Sequence, residues 1–394
     1  MSDPIKPGPA YQGDLLDIDS LLNDEERMIR DTVRSFVADR VLPDVADWFE
    51  AGTIPVELAK EMGALGLLGM HLGGYGTAGT SAVAYGLACT ELEAGDSGVR
   101  SFVSVQGSLA MFPIWAFGSE EQKQRWLPPM AEGELIGCFG LTEPDAGSDP
   151  ASMKTAARRD GSDWVLNGTK MWITNGSVAD VAVVWAQTDD GIRGFIVPTD
   201  ATGFTANDIQ HKMSLRASVT SELVLDDVRL PDDAVLPDVV GLKGPLSCLN
   251  EARFGIAFGS VGAARACYES ALSYAKEREQ FGKPIASFQL IQRKLVNMMV
   301  KVNQGMLLAM HLGRRRDDGT LTAEQVNLGK MVNVRAALEV ARDARSVLGA
   351  NGITLEYPVI RHMNNLESVY TYEGTDEIHT LALGQAITGI SAFE

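Results

Sequence analysis

The sequence is poor in the features that mark metalloproteins, disulfide-stapled proteins and nucleic-acid binders. Its four cysteines, Cys89, Cys138, Cys248 and Cys267, are widely scattered, and no CxxC occurs. Neither a zinc ribbon nor a redox pair is indicated, and a reducing cytoplasm fits better than a disulfide framework. The five histidines show no HxxxH or HxxE spacing, so no metal site is expected. Basic residues are in deficit: 34 Lys and Arg stand against 52 Asp and Glu, a formal net charge of −18. Such a chain lacks the basic face that nucleic acid requires, and it is repelled by an anionic membrane. An anionic small ligand meets only a local field and is not excluded. No apolar run reaches the ~18 residues of a membrane span. The polar, proline-bearing start, MSDPIKPGPAYQGD, lacks the charged and apolar regions of a signal peptide.

What the chain does have is length and a change of rhythm. With 394 residues, 45% hydrophobic and 22% charged, it can bury a large core divided over two or three domains. Over residues 15–135 the pattern is helical. Asn23 with Glu26 forms a capping-box pattern, followed by Ile29, Val33, Phe36 and Val37 at helical spacing. Over 136–243 the period shortens. "DWVLNGTKMWITNG" puts Asn167-Gly168 between two short strands and predicts a hairpin there. "VAVVWAQTDDGIRGFIVPT" predicts another, with Asp190-Gly191 at the turn, and "SELVLDDVRLP" alternates up to Pro231. This reads as an antiparallel β domain. Over 244–394 helices return and are longer, with a second capping-box pattern at Thr322 and Gln325 and apolar residues at Met331, Val334 and Leu338. Helices of this length packed side by side make a bundle.

Two local features need a decision. "GGYGTAG" spaces Gly74, Gly76 and Gly79 as GxGxxG, and Asp96 stands near the distance of a ribose-binding acid. The preceding "ALGLLGMHL" has no β-branched residue and no strand returns to complete a βαβ unit, so a loop between two helices is expected. "YTYEGTDEIHT" gathers Glu373, Asp376 and Glu377 among apolar neighbours. Either all three are helix-start residues, or Glu373 is a base in an apolar pocket.

Five stretches resolve this. "CFGLTEPDAGSDP" (138–150), "KMWITNG" (170–176), "EREQFGKPI" (277–285), "SVLGANGI" (346–353) and "TYEGTDEIH" (371–379) stand in the order and spacing of the acyl-CoA dehydrogenase family, which the chain resembles over about residues 20–394. The resemblance implies an N-terminal helical domain, a middle antiparallel β domain, a C-terminal four-helix bundle and a homotetramer. Within the family the glutaryl-CoA dehydrogenases are most similar, through "ELEAGDSGVRSFVSVQGSLAMFPI" (91–114), "SLRAS" (214–218) and "AITGISAF" (386–393). The chain departs from that branch at Val99, where an aromatic residue is common, and at Asp376-Glu377, where His-Asp is common.

The resemblance also implies roles. Glu373 matches the base that removes the Cα proton of an acyl-CoA, with Gly374 beside it, and FAD takes the β hydride. Phe139, Leu141, Thr142, Gly147 and Ser148, with Trp172, Ile173 and Thr174, match the flavin edge; Trp172 also reads as an ordinary core residue. Arg278, Phe281 and Gln289 match positions that hold the cofactor's phosphates and adenine from a neighbouring subunit, while Arg278 also reads as an ion-pair partner of Glu277 or Glu279. Ser346, Leu348 and Gly349 match another stretch of that site, and Thr375 and Glu377 match further cofactor contacts. Ser148, Leu246, Ser247, Leu249, Asn250 and Arg253 match thioester and pantetheine contacts, with a structural role open for Arg253. Arg100, with Ser101, Glu93, Thr174 and Tyr372, matches the pocket for a substrate's far carboxylate; a salt bridge from Arg100 to Glu93 or Asp96 is the other reading. The expected partners are an acyl-CoA, an electron-transferring flavoprotein and further copies of the chain. Tyr372, Glu93 and Thr174 favour the decarboxylating branch of the group.

Overall fold

The computed structural model describes residues 11–393, so most of the proline-bearing start lies outside the described residues. Seven helices form the first layer: α1 (Asp24–Phe36), α2 (Val45–Ala51), α3 (Leu58–Ala64), α4 (Ala82–Gly95), α5 (Ser97–Ser104), α6 (Phe112–Phe117) and α7 (Glu120–Ala131). Helix α1 opens on the expected capping box: Asn23 Oδ1 accepts from Glu26 N at 2.9 Å, and Glu26 Oε2 accepts from Asn23 N at 3.0 Å. The GGYGTAG segment is a loop between α3 and α4, as the absence of β-branched residues before it indicated.

The second layer is a sheet of β1 (Gly137–Gly140), β2 (Ala156–Asp160), β3 (Asp163–Thr174), β4 (Val181–Thr188), β5 (Gly191–Pro198), β6 (Phe204–Asp208) and β7 (Thr220–Leu230). Its order is β1-β4-β2-β3-β7-β6, with β5 on β4. Pairing is antiparallel except along β4, where β1 runs parallel in register Gly137↔Val181 and β2 adds one parallel pair. A turn joins β4 to β5 as expected, but one residue earlier than Asp190-Gly191: Asp189 and Asp190 form it, and Gly191 opens β5 opposite Thr188.

The predicted hairpin at Asn167-Gly168 is corrected: β3 runs straight through it as one strand with a bulge. Asn167 is engaged across the sheet, donating to Asp227 Oδ1 and accepting from Asp227 N, both at 2.9 Å. Gly168 is required for close approach rather than for a turn, since a Cβ there would stand 2.4 Å from Thr155 Oγ1. The turn lies earlier, at Gly161-Ser162, where Asp160 pairs with Asp163.

The third layer holds α8 (Lys243–Glu277), a short β8–β9 hairpin (Glu279–Gln280, Lys283–Pro284), α9 (Gln289–Asp317), α10 (Ala323–Val347), α11 (Val359–Thr371) and α12 (Asp376–Thr388). The Thr322 and Gln325 capping box opens α10. Helix α4 is buried on nearly every side, as a helix without a polar face must be. Small residues on α8 let it approach closely: a Cβ on Gly262 would stand 1.9 Å from Thr90 O, and one on Gly259 would stand 2.1 Å from Glu93 Oε2. That contact sets Glu93 against the bundle and prepares one wall of the site.

Candidate active site

A cavity of about 620 Å³ opens where the three layers meet. The first layer contributes Arg100, Ser101 and Ser104 from α5, then Val105 and Leu109 from the π-helical segment Val105–Met111. The sheet contributes Phe139, Leu141, Thr142, Gly147 and Ser148, then Trp172, Ile173 and Thr174. The bundle contributes Leu246, Leu249 and Arg253 from α8, and the run Tyr372, Glu373, Gly374 and Thr375 between α11 and α12. Seventeen residues singled out in the sequence thus come together around one space.

Glu373 sits at its inner end. Its backbone is left-handed, with φ 56, a conformation that costs a non-glycine residue ~1–3 kcal/mol and persists only where surroundings enforce it. Its side chain faces the cavity, and its buried Oε2 has no hydrogen-bond partner among the described residues. Burial pushes the carboxyl up to about 7, with Arg253, Lys330 and Arg100 drawing it back down. The peptide N–H of Glu373 has no acceptor among the described residues and remains available to a ligand. Gly374 follows at φ 94, and a Cβ there would stand 2.9 Å from His379 Cε1. The other two carboxylates differ from Glu373. Asp376 and Glu377 occupy the first turn of α12 behind the Thr375 N-cap, and Asp376 also forms a two-pronged pair with Arg335, with Nε at 2.7 Å. Glu377 is exposed and lies off the cavity.

Arg100 stands on another wall, 2% exposed. Its Nε donates to Glu93 Oε2 at 2.6 Å, and one of its Nη atoms donates to Tyr372 Oη. Ser97 Oγ supports the far oxygen of Glu93 at 2.9 Å, and Ser101 Oγ lies 3.4 Å from Tyr372 Oη. The two readings of Arg100 therefore coexist: it is ion-paired with Glu93, and it lines the cavity. Asp96 is not its partner. Asp96 pairs with Arg361 on α11 and accepts from Asn365 Nδ2 at 2.9 Å.

Arg253 also has two aspects. Its Nε donates to the Glu373 carbonyl at 2.5 Å and an Nη donates to Asn250 Oδ1 at 2.9 Å, while the side chain borders the cavity. Ser247 turns away and donates to Gly244 O at 2.7 Å. Trp172 is not a core residue: it is 60% exposed on a left-handed backbone at φ 63.

A second group of expected site residues lies elsewhere. Arg278, Phe281 and Gln289 follow the C-terminus of α8 and open α9. Arg278 is exposed and makes no ion pair with Glu277 or Glu279 among the described residues. Phe281 is 94% exposed. Ser346, at the C-terminus of α10, accepts from Lys294 Nζ at 2.8 Å, which joins it to the start of α9. Gly349 is left-handed at φ 61, and Leu348 is 1% exposed, so its side chain serves the core. At 1.5 Å per residue this end of α8 lies about 35–40 Å along the helix from Arg253.

Sequence reasoning missed Lys330, Lys212, Ser104, Val105 and Leu109. Lys330 had a signal: it falls on the buried stripe of α10 with Val326, Asn333, Val334 and Ala337. A lysine on such a face needs a partner. Lys212 lies in a loop and Val105 and Leu109 in a π-helical segment, where there is no period to read, and a serine at the end of α5 carries no signal of its own.

Residues 23–134 match the description "Acyl-CoA dehydrogenase, N-terminal domain", residues 138–228 the middle domain and residues 240–388 the C-terminal domain. The chain belongs to the acyl-CoA dehydrogenase family. The mitochondrial short-chain specific acyl-CoA dehydrogenase of Homo sapiens is 36% identical over 372 residues, covering 92% of this dehydrogenase and 90% of its own chain. The crystal structure of glutaryl-CoA dehydrogenase from Mycobacterium smegmatis is 68% identical with a TM-score of 0.96, and covers 98% of this dehydrogenase and 100% of its own chain. A second glutaryl-CoA dehydrogenase structure from that organism, in complex with FADH2, is 65% identical with the same TM-score of 0.96 and the same coverage of 98% and 100%.

Proposed function

We propose that this acyl-CoA dehydrogenase uses FAD to oxidise glutaryl-CoA and releases crotonyl-CoA and CO₂. The observation that carries the reading is the pairing, in one cavity, of a free carboxylate at Glu373 with a guanidinium at Arg100. The residues present suit a flavin. An exposed aromatic ring at Trp172, the chain just past β1 at Leu141 and Thr142, and open space beside Gly147 line one side of the cavity. FAD, when bound, supplies the hydride acceptor that no side chain can be.

The chain's own residues handle the proton. The Glu373 carboxylate, poised near neutral pH by desolvation, removes the weakly acidic Cα proton. The unengaged N–H of Glu373 donates to the thioester oxygen, where enolate charge develops. Arg100 and Ser101 hold the substrate's far carboxylate, and Tyr372 and Glu93 hold Arg100 in place. An arginine fork suits a carboxylate geometrically. Loss of CO₂ leaves an anion delocalised onto the thioester, and reprotonation gives crotonyl-CoA. Electrons then leave to an electron-transferring flavoprotein, and the cytoplasm is the compartment we assign.

The same reading includes a homotetramer. The two groups of cofactor residues are separated by most of the length of α8, so the group near Arg278 and Gln289 would serve the site of another copy. Exposed apolar residues on that end of α9, Leu290 at 67% and Val296 at 52%, are what a subunit contact would cover.

A short-chain dehydrogenase without decarboxylation is the second reading. It has the name of the Homo sapiens relative behind it, and the Glu93 partner that already neutralises Arg100. Anaerobic turnover of an acyl-CoA panel with product mass analysis decides between them. Glutaryl-CoA should be preferred and give crotonyl-CoA; preference for butyryl-CoA would install the second reading. In Arg100→Met the substrate carboxylate loses its partner. An unpaired buried charge costs ~3–5 kcal/mol, so kcat/KM for glutaryl-CoA should fall ~10²–10⁴-fold at ~1.36 kcal/mol per decade. The value for butyryl-CoA should fall much less. Equal losses would make Arg100 a residue of the fold.

A further inference from the structure

Three successive peptide carbonyls, those of Tyr372, Glu373 and Gly374, are gripped by two buried cations from two different helices. Lys330 Nζ on α10 donates to Tyr372 O at 2.8 Å and to Gly374 O at 2.6 Å, and reaches Tyr370 O at 3.4 Å. Arg253 Nε on α8 donates to the carbonyl between them, Glu373 O, at 2.5 Å. Lys330 is 1% exposed and has no carboxylate ion-pair partner among the described residues.

We propose that Lys330 is a positioning residue: its ammonium holds the carbonyls on either side of Glu373 and thereby fixes where the proton-abstracting carboxylate stands. The proposal rests on the reading of Glu373 as the base.

Donor arithmetic supports it. An ammonium carries three N–H donors, and three carbonyls converge on Lys330; a neutral amine would leave one of them unserved. Strain supports it as well. A left-handed glutamate persists only where the surroundings enforce it, and the groups that enforce it here are Lys330 and Arg253. Both cations take hold of the backbone and leave the side chain alone, so Oε2 stays without a partner, ready for a substrate proton. A lysine that closed an ion pair with the carboxylate would stabilise the base and occupy it. Burial lowers the pKa of Lys330 to about 7; Glu373 and Asp376 draw it back up, Arg253 from α8 and Arg100 from α5 lower it further, and His379 on α12 also feels its charge. In turn, the Lys330 charge lowers the pKa of Glu373.

The test uses the FAD-loaded protein with Lys330→Met, which keeps the shape and removes every donor, and Lys330→Gln, which keeps two N–H donors without charge. Stopped-flow flavin reduction is followed against pH, and acyl-CoA affinity is measured by titration. A misplacement of about 1 Å costs ~10² in rate. Lys330→Met should therefore reduce flavin ~10²-fold more slowly with little change in acyl-CoA affinity, and Lys330→Gln should fall between it and the wild type. In both, the pH midpoint of reduction should rise, because the charge that favours the carboxylate is gone. Glu373→Gln is the control, and its flavin reduction should be slower by ~10²–10⁴-fold or more at every pH. Normal reduction by Glu373→Gln would remove the base itself. A slowed Glu373→Gln beside a Lys330→Met of normal rate and unmoved midpoint would overturn only the positioning role. Loss of FAD or of the fold in both Lys330 variants would also overturn it, by making Lys330 a general packing residue.

Discussion

At the scale of single residues, the site depends on keeping one carboxylate unsatisfied. Glu373 has cations nearby, yet none is spent on its Oε2. With its pKa raised to about 7, chiefly by burial, the group is largely protonated at pH 6 and largely ionised at pH 8. Flavin reduction by a bound acyl-CoA should therefore rise with pH through about 7 and level off above it, read by stopped flow. Glu373→Gln should keep acyl-CoA binding and lose ~10²–10⁴ or more in reduction rate, the usual range for a general base. Reduction by wild-type protein that is flat from pH 5 to 9 would show that a different group takes the proton. The sequence singled out Glu373 and Arg100 by their motifs. It left open whether Arg100 pairs with Glu93 or with Asp96, and it could not show that the hydroxyl oxygen of Tyr372, 272 positions away, accepts from the same guanidinium.

At the scale of elements, the walls of the site are tied by buried ion pairs between helices. Glu91 on α4 is 2% exposed and accepts from Arg265 of α8 at 2.7 and 2.6 Å, and from Arg34 of α1 at 3.1 and 2.9 Å. Burial alone would raise its pKa, but Arg265 and Arg34 hold it down to about 2. A carboxylate depressed in this way contributes stability that is present above the unfolded value, near 4.5, and is lost as pH falls through the folded one. Thermal unfolding should therefore show a steep loss between pH 4.5 and about 2. In Glu91→Gln this part of the loss should be absent, and the variant should be less stable near neutral pH by ~3–5 kcal/mol, since Arg265 is left buried without its partner. An unchanged melting temperature near pH 7 would show that the three helices hold together without the pair. The capping boxes of α1 and α10 were readable because both partners lie within four residues. The bulge at Gly168 was not, because the close approach there is to Thr155, just before β2.

At the scale of the whole molecule, net charge −18 keeps copies apart, and association needs a local apolar contact. In the proposed tetramer, the exposed Phe281 in the β8–β9 turn, at 94%, and Leu290 at the start of α9, at 67%, would supply it. Sedimentation of the FAD-loaded protein should give the mass of a tetramer. Leu290→Asp with Val296→Asp should shift it to smaller species that lose FAD, because the residues near Arg278 and Gln289 would no longer face another copy's site. A monomer of full activity and full FAD content would remove the tetramer and the shared cofactor site together.

By itself the sequence determined the succession of helical, β and helical layers, the helix starts and the motifs that carry the family. All of these are local, written in periods of two and 3.6 and in short runs of chemistry-bearing residues. The straight course of β3 through Asn167-Gly168, the parallel entry of β1 and the grip of Lys330 and Arg253 on the Glu373 loop were decided only in the tertiary structure. Each depends on a contact between residues tens to hundreds of positions apart, and on burial that shifts a carboxyl to about 7. A sequence names such residues, but only the packed chain sets the distance between them and the water they lose.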